Sequence, residues 1–356
     1  MKNFPVRIAA LSGAAVLAAL GLTACGSDDD GGSGGGDAGG QIAFLMPDRA
    51  STRYEEQDSP LFKEKVAELC ADCEVLYQNA DSDPAKQQQQ VESMIAQGVK
   101  VIVLDPVDSK AAASMVTQAQ GAEIPIVTYD RPVTDVPADF YVSFDNEAIG
   151  RSIAESLVEH LKSTGATGGV LMVNGSPTDR AAGLIKQGAE EGVGDTKVLA
   201  SFDTPDWDPQ KAQDWVSGQI TKYRDQIAGV VAANDGTASG SIAALKAAGL
   251  TPLPPVTGND AEVAAIQRVI AGDQFNTISK PIKTVADAAA EVAVALMKGE
   301  EPKATTDLFD TPSQLFEPTV VTQENVKEVI FDGGIYTAEQ ICTAEYAAAC
   351  AKLTIK

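Results

Sequence analysis

From Gln41 onward, short apolar runs alternate with longer stretches in which apolar residues recur every three or four positions. QIAFLM (41–46), EVLYQ (74–78), VKVIVLD (99–105) and IPIVTYD (124–130) predict strands. Between them, SPLFKEKVAELC (59–70) places Leu61, Phe62, Val66 and Leu69 on one helical face. PAKQQQQVESMIAQG (84–98) and SKAAASMVTQAQG (109–121) follow the same period. After the helix NEAIGRSIAESLVEHLKS (146–163) the alternation starts again. GGVLMV (168–173), KVLASF (197–202), IAGVVAA (227–233), PPVTG (254–258) and NTISK (276–280) predict strands, with helices around 180–191, 209–223, 237–248 and 261–271. Asp208 before Pro209 marks one helix start, as N-cap and first helical residue. VADAAAEVAVALMKG (285–299) is a further helix, and the pattern beyond Thr311 is mixed. Continuous apolar strands between helices of this length predict an α/β fold with parallel sheets covered on both faces. Two such halves imply two lobes with a cleft between them.

The chain before Gln41 follows different rules. Lys2 and Arg7 precede an almost uncharged run from Ile8 to Leu22, the pattern of a signal peptide over 1–24. The run is shorter than the roughly 20 apolar residues of a spanning helix. Leu22-Thr23-Ala24-Cys25 resembles a bacterial lipobox, which implies a lipid on Cys25 and attachment to a membrane through it; ordinary secretion with an incidental Cys is the alternative. GSDDDGGSGGGDAGG completes a flexible, solvated tether over 25–40. The expected place is extracytoplasmic, in a periplasm or on the outer cell surface.

Charge narrows the partners. The chain carries 27 Lys and Arg against 50 Asp and Glu, and losing Lys2 and Arg7 with the leader leaves 25 against 50. Such a field repels nucleic acid and anionic lipid. Outside the cytoplasm an even set of cysteines points to disulfides, and Cys70 with Cys73, and Cys342 with Cys350, are expected to pair locally. A redox-active CADC or a zinc site built from all four are the competing readings.

In parallel sheets ligands bind beyond the carboxyl ends of the strands. Those ends here carry Arg49, Arg53 and Tyr54; Tyr129, Asp130 and Arg131; Asp179; Trp207; Asn234 and Asp235; Asn259 and Asp260; and Lys280. Carboxylates, amides and guanidinium groups grip adjacent hydroxyls in pairs. An aromatic ring packs on the C–H face of a sugar. Asp235 is expected to be a helix cap, Trp215 a packing residue and His160 a surface residue. Trp207, between two Asp, is expected to be exposed and to stack on ligand.

TYDR, FYVSFDNEAIG, GSPTD, VVAANDGTASGSIAALKAAGL, GNDAEVAAIQRVIAG and ISKPI, in that order, resemble the D-xylose-binding family of ABC-transport receptors from about Gln41 to Pro302. The resemblance implies the type I periplasmic binding protein fold: two Rossmann-like lobes joined by a three-segment hinge. One lobe would comprise 41–145 and 283–312, the other 147–280 and 318–356. It implies ligand contacts at Arg53, Asp130, Arg131, Asp179, Asn234, Asp260 and Lys280, with Trp207 and Tyr54 as the two walls. The chain departs from the family at Tyr54, where the xylose binders carry Trp, and at Ala181, where they carry Asn. The expected function is capture of a monosaccharide, D-xylose or a related aldose, for an ABC permease, by a monomer without cofactor or metal. A sensor presenting sugar to a chemoreceptor or kinase is an alternative. A glycosidase, with its two carboxylates about 5–10 Å apart, is a poorer fit to so cationic a site. A sugar-responsive repressor would need a DNA-binding headpiece where this chain has its signal and tether.

Overall fold

The computed structural model describes residues 39–356, so the signal segment, Cys25 and most of the tether lie outside the described residues. The first lobe alternates β1 (Gln41–Met46), α1 (Ser59–Leu69), β2 (Glu74–Asn79), α2 (Pro84–Gln97), β3 (Val101–Leu104), α3 (Ala112–Gly121), β4 (Ile126–Tyr129) and β5 (Phe140–Phe144). The second lobe follows as α4 (Asn146–Thr164), β6 (Gly169–Asn174), α5 (Arg180–Val193), β7 (Val198–Asp203), α6 (Pro209–Tyr223), β8 (Ile227–Ala232), α7 (Asp235–Ala247), α8 (Val263–Ala271) and β9 (Asn276–Ser279). The chain then returns through α9 (Ile282–Met297), β10 (Thr306–Leu308) and β11 (Thr311–Phe316). It ends in β12 (Thr319–Thr322), α10 (Ala338–Ile341) and α11 (Ala347–Lys352).

The first sheet has seven strands in the order β10–β11–β5–β4–β3–β1–β2, all parallel except β10. Every residue of β3, β4 and β5 is buried, as continuous apolar strands require when helices cover both faces. The second lobe holds the parallel sheet β7–β6–β8 and the antiparallel pair β9–β12. PPVTG, expected to be a strand, contributes a single bridge between Val256 and Val230. Pro254 and Pro255 have no N–H to give a sheet, which limits pairing to one residue. β5, within FYVSFDNEAIG, is a strand that the alternation pattern did not single out.

Three crossings join the lobes, after β5, after β9 and after β11. Two of them are tied together where the Asp145 N–H donates to the Phe316 carbonyl at 3.0 Å. Just beyond the first crossing, α4 packs closely on α5, with backbone against backbone at two glycines. A Cβ on Gly150 would lie 1.9 Å from the Ile185 carbonyl oxygen, and one on Gly188 2.0 Å from that of Glu147. Both local disulfides form, Cys70–Cys73 after α1 and Cys342–Cys350 between α10 and α11. Among the described residues no helix is long and apolar enough to cross a membrane.

Candidate functional site

The carboxyl ends of the strands from both lobes meet at one cavity. All nine residues expected there line it: Arg53 and Tyr54 after β1, Asp130 and Arg131 after β4, Asp179 after β6, and Trp207 after β7, with Asn234, Asp260 and Lys280 beyond β8, Val256 and β9. Ser51, Asn146, Ala181, Ile185 and Asn259 complete the wall. Arg49 lies elsewhere, paired on the surface with Glu55 and Asp81.

Asp130 is the centre of the first-lobe wall. Its backbone takes the left-handed conformation, φ +57°, and its carbonyl accepts hydrogen bonds from the Tyr141 and Ser143 hydroxyls, each at 2.8 Å. Such backbone strain recurs where a side chain must be aimed at a ligand. Arg53 Nη2 lies 2.7 Å from Asp130 Oδ2, the Tyr54 hydroxyl donates to the same oxygen at 3.0 Å, and Lys280 Nζ is 3.9 Å from Oδ1. Burial pushes the Asp130 carboxyl up, but Arg53, Lys280 and Arg131 outweigh it and hold the group below the usual carboxylate range. Asp130 is therefore an ionised acceptor.

Arg131 is held by carboxylates that strand-end reasoning missed. Nη2 donates to Asp48 Oδ2 at 2.7 Å, and Nε lies 3.1 Å from Asp179 Oδ2 and 3.5 Å from Asp105 Oδ1. Nη1 donates to the Pro106 carbonyl at 3.2 Å. Three buried carboxylates around one guanidinium cannot all ionise cheaply. Burial raises the Asp105 carboxyl well above its ordinary value despite Arg131. Behind Arg53, burial likewise lifts Asp58 to about 6 against the pull of Arg53 and the hydrogen bond from Tyr129.

The second-lobe wall is built on helix starts. Asp179 caps α5, accepting the Ala181 N–H at 2.7 Å through Oδ1, while Oδ2 accepts Trp207 Nε1–H at 2.9 Å. Because Oδ2 also meets Arg131, one carboxylate ties the aromatic wall to the opposite lobe. Trp207 is buried, 6% exposed, where the sequence suggested an exposed ring. Gly175 makes the slot that buries it, since a Cβ there would lie 2.1 Å from Trp207 Cη2. Asn234, rather than Asp235, caps α7 in a capping box with Thr237, so Oδ1 is occupied and the Nδ2 donors are what it offers the cavity. Asp235 is buried beneath, accepting from Gln274, Thr277 and the Glu262 N–H, and burial lifts it to about 7. Asp260 pairs with Lys280 at 2.6 Å. Two further residues lie outside the cavity wall. Trp215 stacks on Phe202 at 5.2 Å, and His160 is half-buried against Phe275 at 4.5 Å rather than fully on the surface.

The cavity thus combines ionised acceptors, charged donors and amides with two aromatic rings, Tyr54 and Trp207. That chemistry suits a small neutral molecule rich in hydroxyl groups. The family model for the periplasmic binding protein domain matches residues 42–301. The chain is 35% identical over 311 residues to the D-xylose-binding periplasmic protein of Escherichia coli (strain K12), covering 85% of this chain and 92% of that one. It is 29% identical over 329 residues to the multiple sugar-binding periplasmic receptor ChvE of Rhizobium radiobacter, covering 85% and 92%. An ABC transporter solute binding protein from Clostridium phytofermentans, solved with bound β-D-glucose, superposes with a TM-score of 0.75 at 29% identity, covering 85% of this chain and 99% of that one.

Proposed function

The chain belongs to the periplasmic binding protein family, and from that premise we propose that it is an extracytoplasmic receptor that captures a monosaccharide, D-xylose or a related aldose, for an ABC permease. The observation that carries this reading is the convergence of nine polar and aromatic side chains from two lobes on one cavity. Tyr54 and Trp207 are the walls for the sugar's C–H faces, and Asp130, Arg131, Arg53, Asn234, Asp260 and Lys280 take its hydroxyls. Asp130, Asp179 and Asp260 are each bound to a cation, which suits holding hydroxyls more than cycling a proton through catalysis.

In this mechanism the sugar stabilises the closed arrangement of the lobes, because only there do both walls reach it. Arg131 with Asp179, and the Thr52 N–H on Glu262 Oε1 at 3.1 Å, bridge the lobes beside it. A hydroxyl missing from the ligand leaves a buried partner unmet, the source of selectivity. Anchoring through a lipid on Cys25 would keep the receptor near its permease.

Calorimetric titration with D-xylose, D-ribose, D-glucose, D-allose and myo-inositol tests the reading. Selective, tight binding of one or two aldoses is the expected result, and no heat with any sugar overturns it. Incorporation of radiolabelled fatty acid that Cys25→Ala abolishes tests the anchor.

A further inference from the structure

We propose that Asn259 is a specificity-determining residue of this cavity, its side-chain oxygen accepting a hydroxyl hydrogen bond donated by the bound sugar; this rests on the monosaccharide reading above. Asn259 is 2% exposed and lines the cavity. Its Oδ1 is buried with no hydrogen-bond partner among the described residues. Other buried oxygens share that state, on Asp58, Gln90, Asp105 and Thr204, but none of those residues borders the cavity. A buried amide oxygen without a donor is costly, so a donor completes the site when it is occupied.

The residue is held in place by its main chain. The Asn259 carbonyl accepts the Asp235 N–H at 2.9 Å, and the neighbouring Gly258 N–H donates to Asn276 Oδ1 at 3.2 Å. On its other side Asp260 is fixed by Lys280. The amide therefore meets the ligand with little freedom left to lose.

The same geometry selects ligand chemistry. Arg53 Nη1, across the cavity, also lacks a hydrogen bond and calls for an acceptor. A hydroxylated neutral sugar supplies donors and acceptors together. An ionised sugar acid would turn a carboxylate, which only accepts, toward whichever group it faced, and could not serve Asn259 at that point.

The test is a calorimetric cycle on wild type and Asn259→Ala with D-xylose and its 1-, 2-, 3- and 4-deoxy analogues. D-xylose is expected to bind Asn259→Ala about tenfold more weakly or worse. For one deoxy analogue the same substitution should change affinity by less than about threefold, because the hydroxyl that Asn259 meets is already gone. Affinities within about twofold of wild type for every sugar, or an equal loss with D-xylose and all four analogues, overturn the assignment. Should Asn259→Ala fail to fold, a crystal structure of the wild-type chain with D-xylose decides. A sugar hydroxyl within about 3.2 Å of Oδ1 supports the assignment, and a water or no partner there overturns it. If another aldose of the panel binds in place of D-xylose, the cycle is run with that sugar and its deoxy series. Failure of the wild type to bind any of them overturns the receptor reading itself, a result distinguishable from loss of the Asn259 contact alone.

Discussion

Asp179→Asn separates the electrostatic bridge across the cleft from the packing of either lobe. The substitution keeps the shape of the side chain and one oxygen, which can still cap α5 through the Ala181 N–H. It replaces the other oxygen, which meets two N–H groups, Trp207 Nε1 at 2.9 Å and Arg131 Nε at 3.1 Å, with an amide that also donates. Removing one partner of a buried, hydrogen-bonded charge pair costs about 3–5 kcal/mol. Arg131 keeps Asp48 and Asp105, so the lower end of that range applies, about 3 kcal/mol, or roughly a hundredfold in affinity. The loss falls on the closed, sugar-bound arrangement, because Arg131 and Asp179 belong to different lobes. Calorimetry should therefore show sugar binding weakened about a hundredfold, with the unfolding midpoint of the sugar-free protein nearly unchanged. Trp207 emission, read in a Trp215→Phe background, should also report a looser ring. An affinity within threefold of wild type would refute the argument that this carboxylate couples the lobes.

Three other outcomes are expected. Gly175→Ala drives a methyl into the Trp207 ring; overpacking of this kind costs about 1–3 kcal/mol, and sugar affinity should drop at least about tenfold, checked by calorimetry and Trp207 emission. Asp235 is held protonated in the fold to about pH 7 but loses its proton near 4 when unfolded, so stability falls as pH rises between those values. The group accounts for about 4 kcal/mol at most, so Asp235→Asn should flatten the dependence of melting temperature on pH between 4 and 7; an unchanged slope counts against the assignment. Cys342→Ser opens a short loop worth about 2–3 kcal/mol, which denaturant unfolding should register, while sugar affinity stays within twofold because the pair lies outside the cavity wall.

The site was legible wherever a strand's apolar run broke into polar residues, because the parallel sheet fixes where such ends point. Arg53, Asp130, Arg131 and Lys280 were found that way. Asp48, Asp58 and Asp105 were not, because nothing local marks a carboxylate as the partner of an arginine 83, 5 or 26 residues away along the chain. Asn259 stood among the strand-end residues and within GNDAEVAAIQRVIAG but was assigned no contact; its unpaired oxygen is visible only in three dimensions. The exposure expected of Trp207 followed from its acidic neighbours, and the slot above Gly175 that buries it depends on a residue 32 positions earlier. Asp235 and Asn234 are adjacent, so composition alone could not say which would cap α7. PPVTG failed as a strand for a reason its own letters contain, two prolines in succession.

The glycine contact between α4 and α5 gives the second lobe the character of a lever. With Gly150 on Ile185 and Gly188 on Glu147, backbone rests on backbone at these two points, leaving little room there for the helices to shift. Asp145, at the pivot, caps α4, and Asp179, at the cleft, caps α5. Rotation about that pivot would reach the Arg131 bridge through this main-chain contact, which ends at the cavity itself, since Ile185 is part of its wall.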